Sequence, residues 1–152
     1  MSKQDYSKTI SVAASLTAVH QALTAEIRDW WSEDLTIGGN QFTVGFGETK
    51  KTFKMIVQAA SENGFEIVWI CTSANLLHPD VTTPDEWVGT RIVWQIHPNN
   101  SGADITLTHE GLNSDLECHN ICVGGWDHFF LSSLKDYIVS GKGQPFSSTK
   151  AA

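Results

Sequence analysis

Basic residues are scarce in this 152-residue sequence: ten Lys and Arg stand against seventeen Asp and Glu, a formal net charge of −7. Those present are scattered, the one dense group being Lys50, Lys51 and Lys54, spaced like the solvent face of a strand. Nucleic acids and anionic membranes are held through clustered Lys and Arg, so neither is an expected partner. No apolar run approaches the roughly 20 residues that cross a bilayer. Met1 to Ser7 is too polar for the apolar centre of a signal peptide. Three cysteines without an export signal read as thiols in a reducing compartment, which makes the cytoplasm the expected location. Repeats, linkers and low-complexity stretches are missing as well. The expectation is one domain over 1–152, with an ordered core over about 8–143 and a tail over 144–152.

Catalytic signatures are also missing. There is no Gly-x-Ser-x-Gly elbow, and Gly38-Gly39 and Gly124-Gly125 fit neither phosphate-loop nor dinucleotide spacing. Glu33, Glu48, Glu66, Glu86 and Glu110 fall at strand ends or on solvent-side alternations, with no pair set for acid–base work. Cys118-His119-x-x-Cys122 offers soft ligands at i and i+4. His119, however, lies about 100° from Cys118 around a helix, so the three do not converge, and a fourth ligand would have to come from Cys71 or His109. No metal and no cofactor are expected.

What the sequence has in quantity is aromatic area. Six Trp and seven Phe stand beside only two Tyr, which points to a bulky core or a greasy pocket.

Periodicity orders these residues. Thr9 to Ala13 alternates as a first strand, and Ser15 is placed to cap a helix with Val19, Leu23 and Ile27 on one stripe. That segment ends at Asp29-Trp30-Trp31, where one ring is expected inward and the other at a pocket rim. Gly38-Gly39-Asn40 makes a turn before Phe42, Val44 and Phe46, and Phe53, Met55 and Val57 alternate in the next strand. Asn63-Gly64 favours a hairpin leading to Phe65, Ile67, Trp69 and Cys71 on one face. After a loop over Ser73–Asp85, suited to a gate or a dimer contact, Val88, Thr90, Ile92, Trp94 and Ile96 share a face. Asn99 to Gly102 turns the chain into a last strand, with Ile105, Leu107 and His109 inward and Asp104, Thr106, Thr108 and Glu110 outward.

Then the period changes. Ser114 and Glu117 match a capping box. Cys118, Cys122, Trp126, Phe129, Ser133 and Tyr137 form a helical stripe widened by Phe130, Leu134 and Ile138, and Gly141 is placed to end the helix left-handed. The reading is α+β: a curved antiparallel sheet of about six strands around one long C-terminal helix, with two short helices after the first strand. Gly124-Gly125 inside that helix admits two explanations, close approach to a strand or room for a ligand.

The opening strand–helix–Asp29-Trp30-Trp31, then Glu86-Trp87-Val88-Gly89-Thr90 and Ala103 to Leu112, resemble the domain named for the activator of the ninety-kilodalton heat-shock protein's ATPase. Gly125-Trp126, Leu134 to Tyr137 and Gly141-Lys142-Gly143 resemble that family's closing helix. The likeness covers nearly the whole chain and implies the START-related, birch-pollen-allergen-like superfamily, also called SRPBCC, with its helix-grip fold. Such proteins bind lipids, steroids, polyketides or hormones between sheet and helix, and a few are cyclases. The heat-shock activators carry an additional N-terminal domain with no counterpart in this sequence.

The leading expectation is a binder of a small hydrophobic or amphipathic molecule, without catalytic residues. Its lining is expected to comprise Trp31, Trp69, Trp94, His109, Trp126, Phe129 and Phe130. Two alternatives are a cyclase- or hydrolase-like enzyme using His109 as base in the same cavity, and a chaperone-interacting module. A homodimer is compatible with all three.

Overall fold

The computed structural model describes residues 4–46, 51–59, 66–77, 79 and 81–147. The Asn63-Gly64 turn, Phe65, Glu48 and the Lys50 and Lys51 side chains lie outside the described residues.

One antiparallel sheet dominates. Its strands are β1 (Tyr6–Val12), β2 (Leu35–Gly38), β3 (Gln41–Gly45), β4 (Lys51–Ala59), β5 (Glu66–Leu76), β6 (Arg91–Asn99) and β7 (Gly102–Glu110), in the order β1-β7-β6-β5-β4-β3-β2. Alternation carries the inward set: Ile92, Trp94 and Ile96 on β6, and Ile105, Leu107 and His109 on β7, are all buried. On the other face of β7, Thr106 and Thr108 hydrogen-bond across to Thr9 and Ser7 of β1, and Asp104 accepts from Ser11. Those short polar side chains occupy the outer face, so the apolar ones are left to point in.

The sheet has seven strands rather than about six. The additional strand, β2, has four residues and a single buried one, Leu35, too few to register as an alternation. It pairs with β3 through the turn at Gly39, whose φ of 61° is a conformation that glycine adopts without steric cost. Strand β6 begins at Arg91, later than the sequence pattern indicated. Val88 precedes it in a turn and is 47% exposed, because the Thr90 and Val88 N–H groups bond to Trp87 and Asp85 instead of a neighbouring strand.

Helix α1 (Leu16–Thr24) is capped by Ser15, whose hydroxyl accepts from the Ala18 N–H at 3.1 Å. It buries Val19, Ala22 and Leu23 and leads through a 3₁₀ turn, Ile27–Asp29, to Trp30 and Trp31.

The C-terminal helix runs over His119–Ser140 as α2 (His119–Trp126), a π segment (Asp127–Leu134) and α3 (Lys135–Ser140). Gly141 closes it at φ 84°, its N–H on the Tyr137 carbonyl. The predicted capping box does not form. Residues 114–118 are turns, and Glu117 reaches outward to the Thr82 and Thr83 N–H groups at 2.9 and 2.8 Å. The helix start is capped from a distance instead, by Glu86, whose carboxylate accepts from the N–H groups of Glu117 and Cys118 at 2.9 and 3.1 Å. A carboxylate there also faces the positive end of the helix. The π segment takes more residues per turn than an α-helix. Its phase shift leaves Phe129 half-buried and makes Phe130 the fully buried ring, where the regular stripe had favoured Phe129.

Part of the expected tail is structured. Phe146 pairs with Ser32, its N–H on the Trp31 carbonyl and its carbonyl accepting from the Glu33 N–H at 2.8 Å. Ser133, fully buried, fastens the approach by donating to the Trp30 carbonyl at 2.6 Å and accepting from the Gln144 N–H at 2.7 Å. At the other end, buried Tyr6 extends the first strand before residue 8.

Candidate ligand-binding cavity

Five of the six tryptophans meet at the centre. Trp30, Trp31 and Trp69 lie nearly parallel, with Trp31 5.6 Å from Trp69. Trp31 also stacks on Trp126 at 5.1 Å, while Trp94 meets Trp30, Trp69 and Trp126 edge-on. Such pairs add about 0.5–1.5 kcal/mol each beyond the area they bury. The sixth, Trp87, continues the series, nearly parallel to Trp126 at 6.2 Å and 4.2 Å from Phe53.

Beside this array is a cavity of about 790 Å³. Trp31, Trp87 and Trp126 form one part of its wall, and the sheet side contributes Phe46, Phe53 and Leu76. Helix residues Ile121, Cys122, Gly125 and Phe129 face them, while Leu77, Pro79 and Phe146 complete the lining. None of these side chains is charged. The two glycines of the helix have open space where a Cβ would be, so close approach to a strand does not account for them. Gly125 borders the cavity directly.

Of the seven residues expected to line it, Trp31, Trp126 and Phe129 do. Trp69, Trp94 and Phe130 are fully buried in the packed core behind the wall. His109 is behind it too, edge-on to Trp87 at 4.5 Å. Its Nδ1 accepts the Trp126 indole N–H at 3.1 Å, and its Nε2 pairs with Thr90 Oγ1 at 2.9 Å. An indole N–H only donates, so Nε2 carries the proton and donates to Thr90, whose hydroxyl in turn donates to the Trp87 carbonyl at 2.7 Å. Burial pushes the imidazole down to about 3.

Trp87, Phe53, Ile121 and Phe146 were not marked as lining by sequence alone. Phe53 sat on a recognisable inward alternation, whereas Trp87 is in a turn and Phe146 beyond the last helix, where no period applies.

The cysteines are placed differently from one another. Cys71 is buried outside the lining, its thiol donating to the Ser73 carbonyl and pushed up to about 12 by burial. Cys118 and Cys122 touch, Sγ to Sγ, at 2.7 Å. Among the described residues no group of three or more His, Cys, Asp or Glu is disposed to hold a metal ion, and no helix is long and apolar enough to cross a membrane.

No protein-family model matches the chain, and no curated protein matches its sequence. Solved structures do match. The chain is similar to the Aha1 dimer from Colwellia psychrerythraea, known from its solution structure, at 24% identity and a TM-score of 0.72 over 94% of this chain and all of that one. It is similar to protein SSP2350 from Staphylococcus saprophyticus at 17% identity and 0.66 over 95% of this chain and all of that one. It also matches DynU16, a putative protein in the dynemicin biosynthetic locus, at 18% and 0.68, over 93% of this chain but 49% of the other. In fold, this chain is like the Aha1 structure, an antiparallel sheet gripping a C-terminal helix.

Proposed function

We propose that the cavity binds a small hydrophobic or amphipathic molecule. One observation carries the reading: about 790 Å³ of space at the sheet–helix junction, walled by described side chains of which none is charged. That volume falls in the ordinary range for small-molecule pockets, roughly 300–1,000 Å³. An apolar wall penalises any buried charge it does not pair, so the enclosed part of the ligand is uncharged and a polar end remains at the mouth. Binding and release fit better than turnover, because His109, the base that a cyclase- or hydrolase-like reaction needs, has both nitrogens engaged behind the wall.

The test is native mass spectrometry of protein taken from its own host, followed by displacement of any co-purifying molecule. Three tryptophans line the cavity, so occupancy also quenches or shifts their fluorescence. Gly125→Leu, which projects a side chain into the cavity, is expected to abolish both signals. An empty wild type, or a Gly125→Leu variant that retains the same ligand, argues against the reading.

The Colwellia protein is a dimer, and we infer a homodimer for this chain as well. Sedimentation equilibrium at micromolar concentration distinguishes it from a monomer.

A further inference from the structure

Cys118 and Cys122 stand one turn apart where α2 begins, and the Cys122 N–H bonds to the Cys118 carbonyl at 2.8 Å. A helical turn sets their Cα atoms about 6 Å apart, within disulfide range, but their Cβ atoms about 5–6 Å apart against the roughly 3.5–4.5 Å a disulfide needs. Closure therefore draws in the first turn at Cys118, whose backbone (φ −82°, ψ 3°) is already outside the regular helix. The two sulfurs are already in contact. Both are buried, Cys122 at 6% and Cys118 at 1% exposure, but Cys122 forms part of the cavity wall and Cys118 does not. Trp87 donates its indole N–H to Cys122 Sγ at 3.2 Å, which favours negative charge on that sulfur. The hydrogen bond from Cys122 holds the Cys118 thiol below the ordinary range. A sulfur in a cavity wall, touching a thiol held below its ordinary range at a helix start, is in the kind of environment in which cysteines react.

We propose that Cys118 and Cys122 form a peroxide-sensitive dithiol that closes to an intrahelical disulfide in the cavity wall. Cys118 gives its proton to solvent, the thiolate so formed takes the Cys122 proton, and the Cys122 sulfur attacks one oxygen of hydrogen peroxide. The O–O bond breaks, the departing hydroxide takes the proton from Cys118, and Cys122 is left as a sulfenic acid. The Cys118 thiolate then attacks the Cys122 sulfur. The S–S bond forms, the S–O bond breaks, and hydroxide leaves to become water with a solvent proton. Two thiols and one peroxide give one disulfide and two waters, with two electrons passing from sulfur to oxygen.

Trypsin makes the test direct, because Arg91 and Lys135 bracket Cys118 and Cys122 in one peptide while Cys71 falls in the one before it. The full chain is reduced, exposed to stoichiometric hydrogen peroxide, unfolded, alkylated and digested. The 92–135 peptide is expected to lose two hydrogens and both alkylation sites, with recovery on dithiothreitol, while Cys71 stays alkylatable. Cys118→Ser should accumulate a dimedone-reactive sulfenic acid on Cys122, and Cys122→Ser should consume peroxide at least about tenfold more slowly. A wild-type peptide that keeps both thiols at doses that oxidise Cys71 overturns the proposal, as does a disulfide joining two chains.

Discussion

Trp126 donates a hydrogen bond from its indole N–H to His109 Nδ1 at 3.1 Å, and that bond fixes the imidazole as the neutral Nε2–H tautomer aimed at Thr90. A ring that belongs to the cavity wall is thereby tied to strand β7 and, through Thr90, to the Trp87 turn. The wall rests on a buried histidine that is stable only while uncharged.

The sign of the pH dependence follows. In the unfolded chain His109 takes a proton near pH 6.5, whereas in the fold it resists protonation down to about 3. The unfolded state therefore binds more protons as the solution is acidified. Stability is unaffected by this group above pH 6.5 and falls below it, by up to about 1.4 kcal/mol per pH unit. Urea midpoints at pH 7 and pH 5 should differ less in His109→Gln than in wild type. Equal slopes would show that His109 does not carry the acid sensitivity.

Ser133 is a second anchor. Its hydroxyl joins the Trp30 carbonyl to the Gln144 N–H inside the protein. Ser133→Ala leaves both without that partner, a cost of about 1–3 kcal/mol for each group stranded away from water. The segment carrying Phe146 should loosen, seen as faster amide exchange over 144–147. Gly143→Ala should act in the same direction, since its Cβ would stand 2.7 Å from the Asp29 carbonyl oxygen. Unchanged exchange in both variants would mean that Phe146 is held by other contacts.

Glu86 is expected to cap α2 across a gap of thirty residues in sequence. Glu86→Ala removes the acceptor for the Glu117 and Cys118 N–H groups and should lower stability by about 1 kcal/mol, as for other lost caps. Glu117→Gln, by contrast, is read at the loop. The carboxylate, held below the usual range chiefly by the Thr82 hydroxyl, bonds the Thr82 and Thr83 N–H groups. Those two amides should exchange faster in the variant, and a midpoint for Glu86→Ala equal to wild type would remove Glu86 as the cap.

Gly125 separates stability from binding. An alanine there meets no atom within 4 Å, so Gly125→Ala should stabilise the helix by up to about 1 kcal/mol. Thermal melting reads that gain directly. Destabilisation instead would mean that the helix needs glycine's backbone freedom at this position.

Much of the architecture was legible because strands and helices leave periods in the sequence. The Ile105, Leu107 and His109 alternation, the Ser15 cap and the Gly141 stop each depend on neighbours within a few residues, and each is present as read. The Ser114–Glu117 box carried the same local signature and does not form. Glu86 and the Thr82–Thr83 turn, both distant in sequence, offer its groups other partners.

The sequence by itself determined a helix-grip sheet and helix with an unusual load of tryptophan, because alternation, capping and composition are local properties. Which rings face the space and which fill the core was decided only by the tertiary structure. A turn delivers Trp87, and a strap past the last helix delivers Phe146. Neither of these two placements has a period to be read. Each is set by where remote backbone groups find their hydrogen bonds, and that is known only once the chain has folded.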